Sequence, residues 1–322
     1  ITNKILNWYD INKRSLPWRK KTSSKKKQYY TLVSEFMLQQ TQVVTVIPYF
    51  NQFIKNIPNL ETLASFENRK LIKLWEGLGY YSRVRNLKKA AKVIIKDFNK
   101  KIPDNFLDLK SLPGIGDYTA SAISAIAFNK PLIPLDGNIE RVLKRYLYLK
   151  KESQIKKENL IESKKIFGRS KRSSDYAQAL MELGALICKP NNPLCEKCPI
   201  SNKCKSFIKQ DFVLTKINKS HKDKYFLLKV YKKDNKYLLV KNRNFNFLKN
   251  FNIFPMQELN KPKNFNQNLN LKISNMNMNI KIQNGKLTKT IPFSYWIDPK
   301  KLKNYTLPTF TKKIFTYLKN YK

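Results

Sequence analysis

The 322 residues are 42% hydrophobic and 12% aromatic, enough for two domains with packed cores and too apolar for a wholly disordered chain. No apolar run reaches the ~18–20 residues of a membrane span, and Ile1–Asp10 lacks the long apolar core of a signal peptide, so the expectation is a soluble, cytoplasmic protein without a membrane partner. The 64 Lys and Arg residues against 22 Asp and Glu give a formal net charge of +42. A polyanion would offset that charge through counterion release. AT-rich codons also inflate Lys, Asn, Ile, Phe and Tyr, so the charge permits nucleic-acid binding without establishing it.

In chain order, Gln28–Gln42 carries Leu32, Val33, Phe36 and Met37 at helical spacing. Leu71–Phe98 reads as two helical stretches broken by Gly77-Leu78-Gly79. Ile139, Val142, Leu143, Tyr146 and Leu149 form another apolar stripe. The polar segment 211–224, with the lone histidine His221, reads as a solvated linker. Beyond it, Tyr225–Tyr231 and Lys236–Lys241 predict two strands joined as a hairpin through 232–235. Ile291–Ile297 predicts another strand and Leu307–Lys319 a final helix; the Asn- and Lys-rich stretch 260–290 gets no assignment. The expected organisation is mainly α over 1–210, the linker 211–224, and a smaller α+β domain over 225–322.

Four features carry chemistry. Leu112-Pro113-Gly114-Ile115-Gly116-Asp117-Tyr118 describes a tight hairpin between helices. It is either an ordinary glycine turn or a backbone grip on phosphate at a helix N-terminus. Asp136 follows the apolar run 132–135 and opens the helix with the Ile139 stripe, as a helix cap or as a catalytic carboxylate. Glu35 is the only charge between Tyr29 and Lys55. Its carboxyl lies on a polar helix face, or it sits in an apolar setting that raises its pKa toward that of a general acid. Finally, Cys188, Cys195, Cys198 and Cys204 are all the cysteines of the chain and fall within 17 residues. In a reducing compartment they indicate a metal centre, an iron–sulfur cluster or a zinc ion.

In this order the pieces resemble the helix–hairpin–helix DNA glycosylases, and among them the adenine DNA glycosylases of the MutY family. The match runs through Leu16-Pro17-Trp18-Arg19, Ser34-Glu35-Phe36-Met37-Leu38-Gln39-Gln40-Thr41-Gln42, Val46-Ile47-Pro48-Tyr49-Phe50 and Gly77-Leu78-Gly79-Tyr80-Tyr81-Ser82-Arg83. It continues through the hairpin, Leu135-Asp136-Gly137-Asn138 and Tyr176–Ala185 into the cysteines. The resemblance implies a helix–hairpin–helix glycosylase domain with an iron–sulfur loop holding one 4Fe-4S cluster on the four cysteines, followed by a Nudix-like lesion-recognition domain. It implies a monomer acting on double-stranded DNA, removing adenine mispaired with 8-oxoguanine or guanine in base excision repair. Glu35 matches the acid and Asp136 the carboxylate that stabilises the sugar cation. Gln40 and Tyr80 match the residues wedged into the base stack, Gly114 and Gly116 the hairpin grip, and Trp18, Arg19 and Gln178 the adenine pocket.

Tyr118 stands where bifunctional relatives of the endonuclease III type carry the lysine that cleaves the strand, which implies a monofunctional enzyme. In the C-terminal domain the match is sparse. Phe293-Ser294-Tyr295 replaces the family's Phe-Ser-His, leaving Ser294 as the lesion contact. Phe247–Asn252 replaces a Gly-rich turn, and no Glu-rich pyrophosphatase box is visible. The rivals are a bifunctional glycosylase for oxidised pyrimidines and a DNA-binding protein whose catalysis has decayed.

Overall fold

The computed structural model describes residues 1–149, 171–213, 222–262, 264–273 and 275–320. The expected position of His221 lies outside them. The chain forms two compact units, Ile1–Asn68 with Ser82–Lys216, and Arg69–Tyr81 with Ile217–Lys322.

The described part of the first unit is helical. It runs α1 (Thr2–Asn12), α2 (Ser24–Leu38), α3 (Val43–Asn56), α4 (Leu60–Ser65), then, after α5 (Asn68–Leu74), α6 (Ser82–Asp97), α7 (Phe106–Ser111), α8 (Asp117–Phe128), α9 (Gly137–Leu147), α10 (Ser173–Glu182) and α11 (Lys205–Ile208). Helix α8 packs against α2, α7 and α10. Its sequence explains that position. Ala120, Ala122, Ala125 and Ala127 are good helix formers and small enough for neighbours to approach, and all four are buried. Asn129 ends α8 in the left-handed region, φ 56°. Ser23 caps α2 by accepting from the Lys26 N–H. A second apolar cluster joins Ile5, Leu6 and Tyr9 of α1 to Ile139, Val142 and Leu143 of α9 and Ala179 and Leu180 of α10. After Glu182 the chain continues as a turn of π-helix, Leu183–Ile187.

The hairpin joins α7 to α8, and its two glycines serve different ends. Gly114 has φ +82°, and a Cβ there would lie 2.7 Å from the Asn86 Cβ and 3.0 Å from the Phe36 ring. Gly116 has φ −97°, and a Cβ there would meet nothing within 4 Å. Gly114 therefore closes the hairpin onto α6 and α2, while Gly116 leaves an open backbone surface.

The second unit is α+β. One sheet has the order β5-β1-β7-β6, made of Met256–Leu259, Lys222–Val230, Met276–Asn284 and Leu269–Ile273; β1 and β7 run parallel and the other pairs antiparallel. The other sheet joins β2 (Lys232–Lys233), β3 (Lys236–Lys241) and β4 (Asn252–Ile253), with β8 (Ser294–Ile297) also on β3. Phe226, Leu228, Leu239, Ile253, Phe254, Met278, Ile280 and Ile297 form the core with Phe310, Ile314 and Phe315 of α12 (Thr309–Asn320).

The expected hairpin between 225–231 and 236–241 is corrected. β1 pairs with β5 and β7, so the chain changes sheets at Tyr231, and only the short β2 turns back onto β3. Asp234 and Asn235 make that turn with φ 48° and 59°, the left-handed pair that a two-residue hairpin requires. β1 begins at Lys222, inside the segment 211–224 read as linker.

The replaced Gly-rich turn is built without glycine. Asn242, 2% exposed, accepts from the Phe245 N–H at 3.0 Å and donates to the Phe247 carbonyl at 2.5 Å. Leu248 and Asn250 take the left-handed conformation, φ 48° and 67°. Arg69–Tyr81 groups with this unit through Glu76. Its carboxylate pairs with Lys312 of α12 and with Lys73, both at 2.7 Å, and accepts from the Leu307 N–H at 3.1 Å.

Gly114→Ala is expected to destabilise the protein by about 1–3 kcal/mol, from left-handed strain and overlap with Asn86. Gly116→Ala is expected to leave stability unchanged. Urea unfolding of both variants checks the contrast.

Candidate active site

A cleft of about 1440 Å³ opens in the first unit, and its walls bring most of the expected site residues together: Trp18, Arg19, Glu35, Gln40, Gly116, Tyr118, Asp136 and Gln178. Gly114 sits two residues behind Gly116 in the hairpin. Tyr80 and Ser294 belong to the second unit. Tyr80 is 45% exposed with φ 46°, and Ser294 begins β8.

Glu35 lies three residues before the end of α2, 4% exposed, among the buried Leu32, Val33, Phe36 and Met37. The Tyr118 hydroxyl donates to its Oε2 at 3.1 Å. Burial pushes its carboxyl up to about 7; the phenol's bond works against the rise, the charge of Asp136 adds to it, and Arg19 opposes it. Burial, then the charges of Glu35 and Asp136, hold the Tyr118 phenol well above its ordinary value, so it stays a donor.

Asp136 caps α9. Its Oδ1 accepts from the Asn138 and Ile139 N–H groups at 3.0 and 2.7 Å, and its Oδ2 from Asn138 Nδ2 at 3.0 Å. Burial raises this carboxyl too, while the three donors and Arg141 favour its charged form. The two carboxyl groups thus differ in kind. One has a single phenol donor; the other has three donors at a helix N-terminus.

Several contributing residues escaped the sequence reading. Glu182, 0% exposed, receives Arg14 Nε at 2.7 Å and Arg19 Nη1 at 2.6 Å. It is the only acid between Asp175 and Glu196, inside an apolar helical run, the same signal that singled out Glu35. Arg19 therefore lines the cleft already paired. Trp18 packs edge-on to Phe50 at 5.3 Å, and Gln178 Nε2 donates to the Ser174 carbonyl at 3.1 Å.

Asn138 links two of the motifs. Arg141 Nη2 donates to its Oδ1 at 2.7 Å, and Arg141 Nε to the Cys188 carbonyl at 2.7 Å. Gly184 permits this contact, since a Cβ there would stand 2.6 Å from that of Asn138.

Cys188, Cys198 and Cys204 pack against the α1–α9–α10 core, and Cys195 opens a short turn, Cys195–Lys197. Burial, and then the neighbouring cysteines, raise the thiols of Cys195 and Cys204 and push Cys198 up to about 12. Thiols raised in this way, those of Cys195, Cys198 and Cys204, give up their protons only to a cationic centre that ligates them as thiolates. Arg145, 3% exposed, donates to the carbonyls of Lys189 and Pro190 at 2.5 and 2.7 Å and lies 3.5 Å from Cys188 Sγ. Among the described residues, no group of three or more His, Cys, Asp or Glu closes on a point where it would hold a single metal ion, and no helix is long and apolar enough to cross a membrane.

The buried Glu35 makes stability depend on pH. Its folded-state pKa, about 7, exceeds the ordinary 4.5. The stability it contributes is complete below about 4.5 and lost as pH rises through about 7. Glu35→Gln is therefore expected to gain stability over the wild type as pH rises from 5 to 8, on the order of 2–3 kcal/mol. Thermal melts at the two pH values read this, and a gain equal at both contradicts the raised pKa.

Residues 33–166 match the family model described as HhH-GPD superfamily base excision DNA repair protein. The adenine DNA glycosylase of Buchnera aphidicola subsp. Baizongia pistaciae is 41% identical over 258 residues, 78% of this chain and 72% of that protein. The adenine DNA glycosylase of Rattus norvegicus is 40% identical over 209 residues, 63% of this chain and 40% of that protein. Among solved structures, a thermostable thymine-DNA glycosylase superposes with a TM-score of 0.58 at 27% identity, over 65% of this chain and 95% of that one. With the helical architecture, the hairpin and the paired carboxyl groups, these relationships show that the chain belongs to the adenine DNA glycosylase family of the helix–hairpin–helix base excision repair superfamily.

Proposed function

We propose that this protein binds duplex DNA as a monomer and removes adenine opposite 8-oxoguanine, or opposite guanine, leaving an abasic site in an uncut strand. The observation that carries the reading is the pair of unlike carboxyl groups lining one cleft, Glu35 raised to about 7 beside the Tyr118 phenol and Asp136 held by three donors. Adenine reaches the cleft by leaving the base stack, at a cost of a few kcal/mol. Protonated Glu35 gives its proton to adenine N7 as the C1′–N9 bond breaks and the bonding electrons leave with the base. Asp136 stays ionised and stabilises the positive charge that develops on the sugar, as paired carboxylates do in glycoside hydrolysis. Water adds to C1′, and its proton returns to the Glu35 carboxylate. Tyr118 offers a phenol rather than an amine, so no Schiff base forms and the strand is not cut.

Trp18, Arg19 and Gln178 wall the base pocket, with Arg19 fixed by Glu182. The open backbone at Gly116, with Gly114 behind it, suits a phosphate. Gln40 and Tyr80 are wedges for the base stack, and Ser294 is the contact to the opposing lesion. Cys188, Cys195, Cys198 and Cys204 would hold one 4Fe-4S cluster as its thiolate ligands, and the bound cluster would cross-link the 188–204 loop. No bond of the reaction is made or broken there. DNA is the proposed partner, and the cytoplasm the proposed place of action.

The test uses the purified holo-protein and a duplex with a single adenine opposite 8-oxoguanine. Adenine is expected to be released, with strand breaks only after alkali or heat. An intact protein that releases no adenine refutes the proposal, and breaks without alkali favour the bifunctional rival. Glu35→Gln and Asp136→Asn are each expected to lower excision by at least about 10² while binding survives. The protein is expected to be brown, with a broad visible band; a colourless protein holding one zinc ion contradicts the cluster.

A further inference from the structure

The last turn of α2 carries Glu35 and, through Phe36 and the following Gln39, touches the hairpin. The final carbonyls of a helix have no partner within the helix. Here three carbonyls at the end of α2, those of Phe36, Met37 and Gln39, accept from one atom, Arg83 Nη1, at 3.3, 2.7 and 2.5 Å. Arg83 is 6% exposed and lies in the first turn of α6. A guanidinium is a favourable charge at a helix C-terminus, and its loss would leave buried carbonyls unsatisfied.

Gln39, the next residue after α2, spends its side-chain amide elsewhere. Its Nε2 donates to the Gly114 carbonyl at 3.4 Å and to the Thr119 hydroxyl at 3.3 Å. The first is in the hairpin; the second neighbours Tyr118, whose hydroxyl holds Glu35. The hairpin also touches α2 and α6 directly, because Gly114 leaves no gap to Phe36 and Asn86. Gln40 follows in the left-handed conformation, φ 57°, on the cleft wall. Arg83, the end of α2, Gln39, the hairpin and Asn86 thus form a closed ring of contacts.

We propose that Arg83 and Gln39 are positioning residues that fasten the hairpin to the last turn of α2, so that seating of the hairpin on a DNA backbone fixes the placement of Glu35 and Gln40. This rests on the reading of Glu35 given above. The bonds from Gln39, at 3.4 and 3.3 Å, are longer than the ordinary N–H···O range and leave room to tighten when the hairpin engages DNA. A residue with this role affects the chemical step more than binding, since a 1 Å misplacement of a catalytic group costs up to about 10²-fold in rate.

Gln39→Leu keeps the bulk of the side chain and removes the donor at a half-exposed position. Four quantities are compared with the wild type: melting temperature, Kd for a duplex carrying a non-hydrolysable adenosine analogue opposite 8-oxoguanine, the single-turnover excision constant, and hydrogen exchange of amides 36–41 with and without an unmodified duplex. The expected result is an unchanged melting temperature and Kd, an excision constant lower by about tenfold, and loss of the protection that DNA confers on amides 36–41. Arg83→Met is expected to lower the melting temperature, because carbonyls at the end of α2 lose their donor, and otherwise to behave likewise, with Arg83→Lys restoring most of the rate; if Arg83→Met does not fold, Gln39→Leu alone decides. An unchanged excision constant, or Kd and excision constant worsening in parallel, overturns the proposal. A wild-type protein that releases no adenine refutes the reading of Glu35 instead, and the exchange measurement still tests the fastening.

Discussion

The structure of the site depends on the burial of one carboxyl group. Glu35 is inside a helical bundle with a phenol for a partner and, among the described residues, no cation within salt-bridge distance. Isolating an ionised carboxylate there is costly, so the proton is retained to an unusually high pH. The arrangement sacrifices stability at neutral pH, and the rest of the first unit holds it in place. Tyr118 reaches Glu35 because α8 is alanine-rich and packs closely on α2. Asp136 adds a like charge, which raises Glu35 further, while its own position at a helix N-terminus satisfies it with three donors. Burial raises both carboxyls, Glu35 to about 7, and at Asp136 the three donors oppose the rise.

Most of this was legible in the sequence because it is local. Glu35 stood alone in an apolar helix, Asp136 stood before an apolar stripe, the hairpin announced itself by its glycines, and the cysteines by their clustering. The Glu182 pairs were not legible, because Arg14 and Arg19 lie more than 160 residues away and nothing in spacing reveals such a partner. Asn138 was visible as part of a motif, but its two-sided role needs the fold. It donates to Asp136 and accepts from Arg141, and only the missing Cβ of Gly184 makes room for it.

In the second unit, composition hid the pattern. Met276–Asn284 buries Met278, Asn279 and Ile280 in succession, so its burial does not alternate, and its asparagines and lysine are weak strand formers. Its partner is the parallel β1, a long-range pairing that a reading of neighbouring segments cannot supply. The same limit produced the wrong hairpin. Tyr225–Tyr231 and Lys236–Lys241 are both strands, yet they enter different sheets, and the turn between them serves only β2. The loss of the Gly-rich turn is offset by Asn242, whose side chain does locally what flexible backbone would otherwise do. This unit therefore keeps a packed fold while its surface chemistry departs from the family pattern.

The central claim is that Glu35 delivers a proton its surroundings hold to unusually high pH. The most direct measurement is the pH dependence of single-turnover adenine release from an A:8-oxoguanine duplex at saturating enzyme. The rate is expected to be constant at mildly acid pH and to fall as pH rises through about 7, where burial and the neighbouring Asp136 place the Glu35 carboxyl. A rate that stays flat from pH 6 to pH 9, or that rises across that interval, would contradict it.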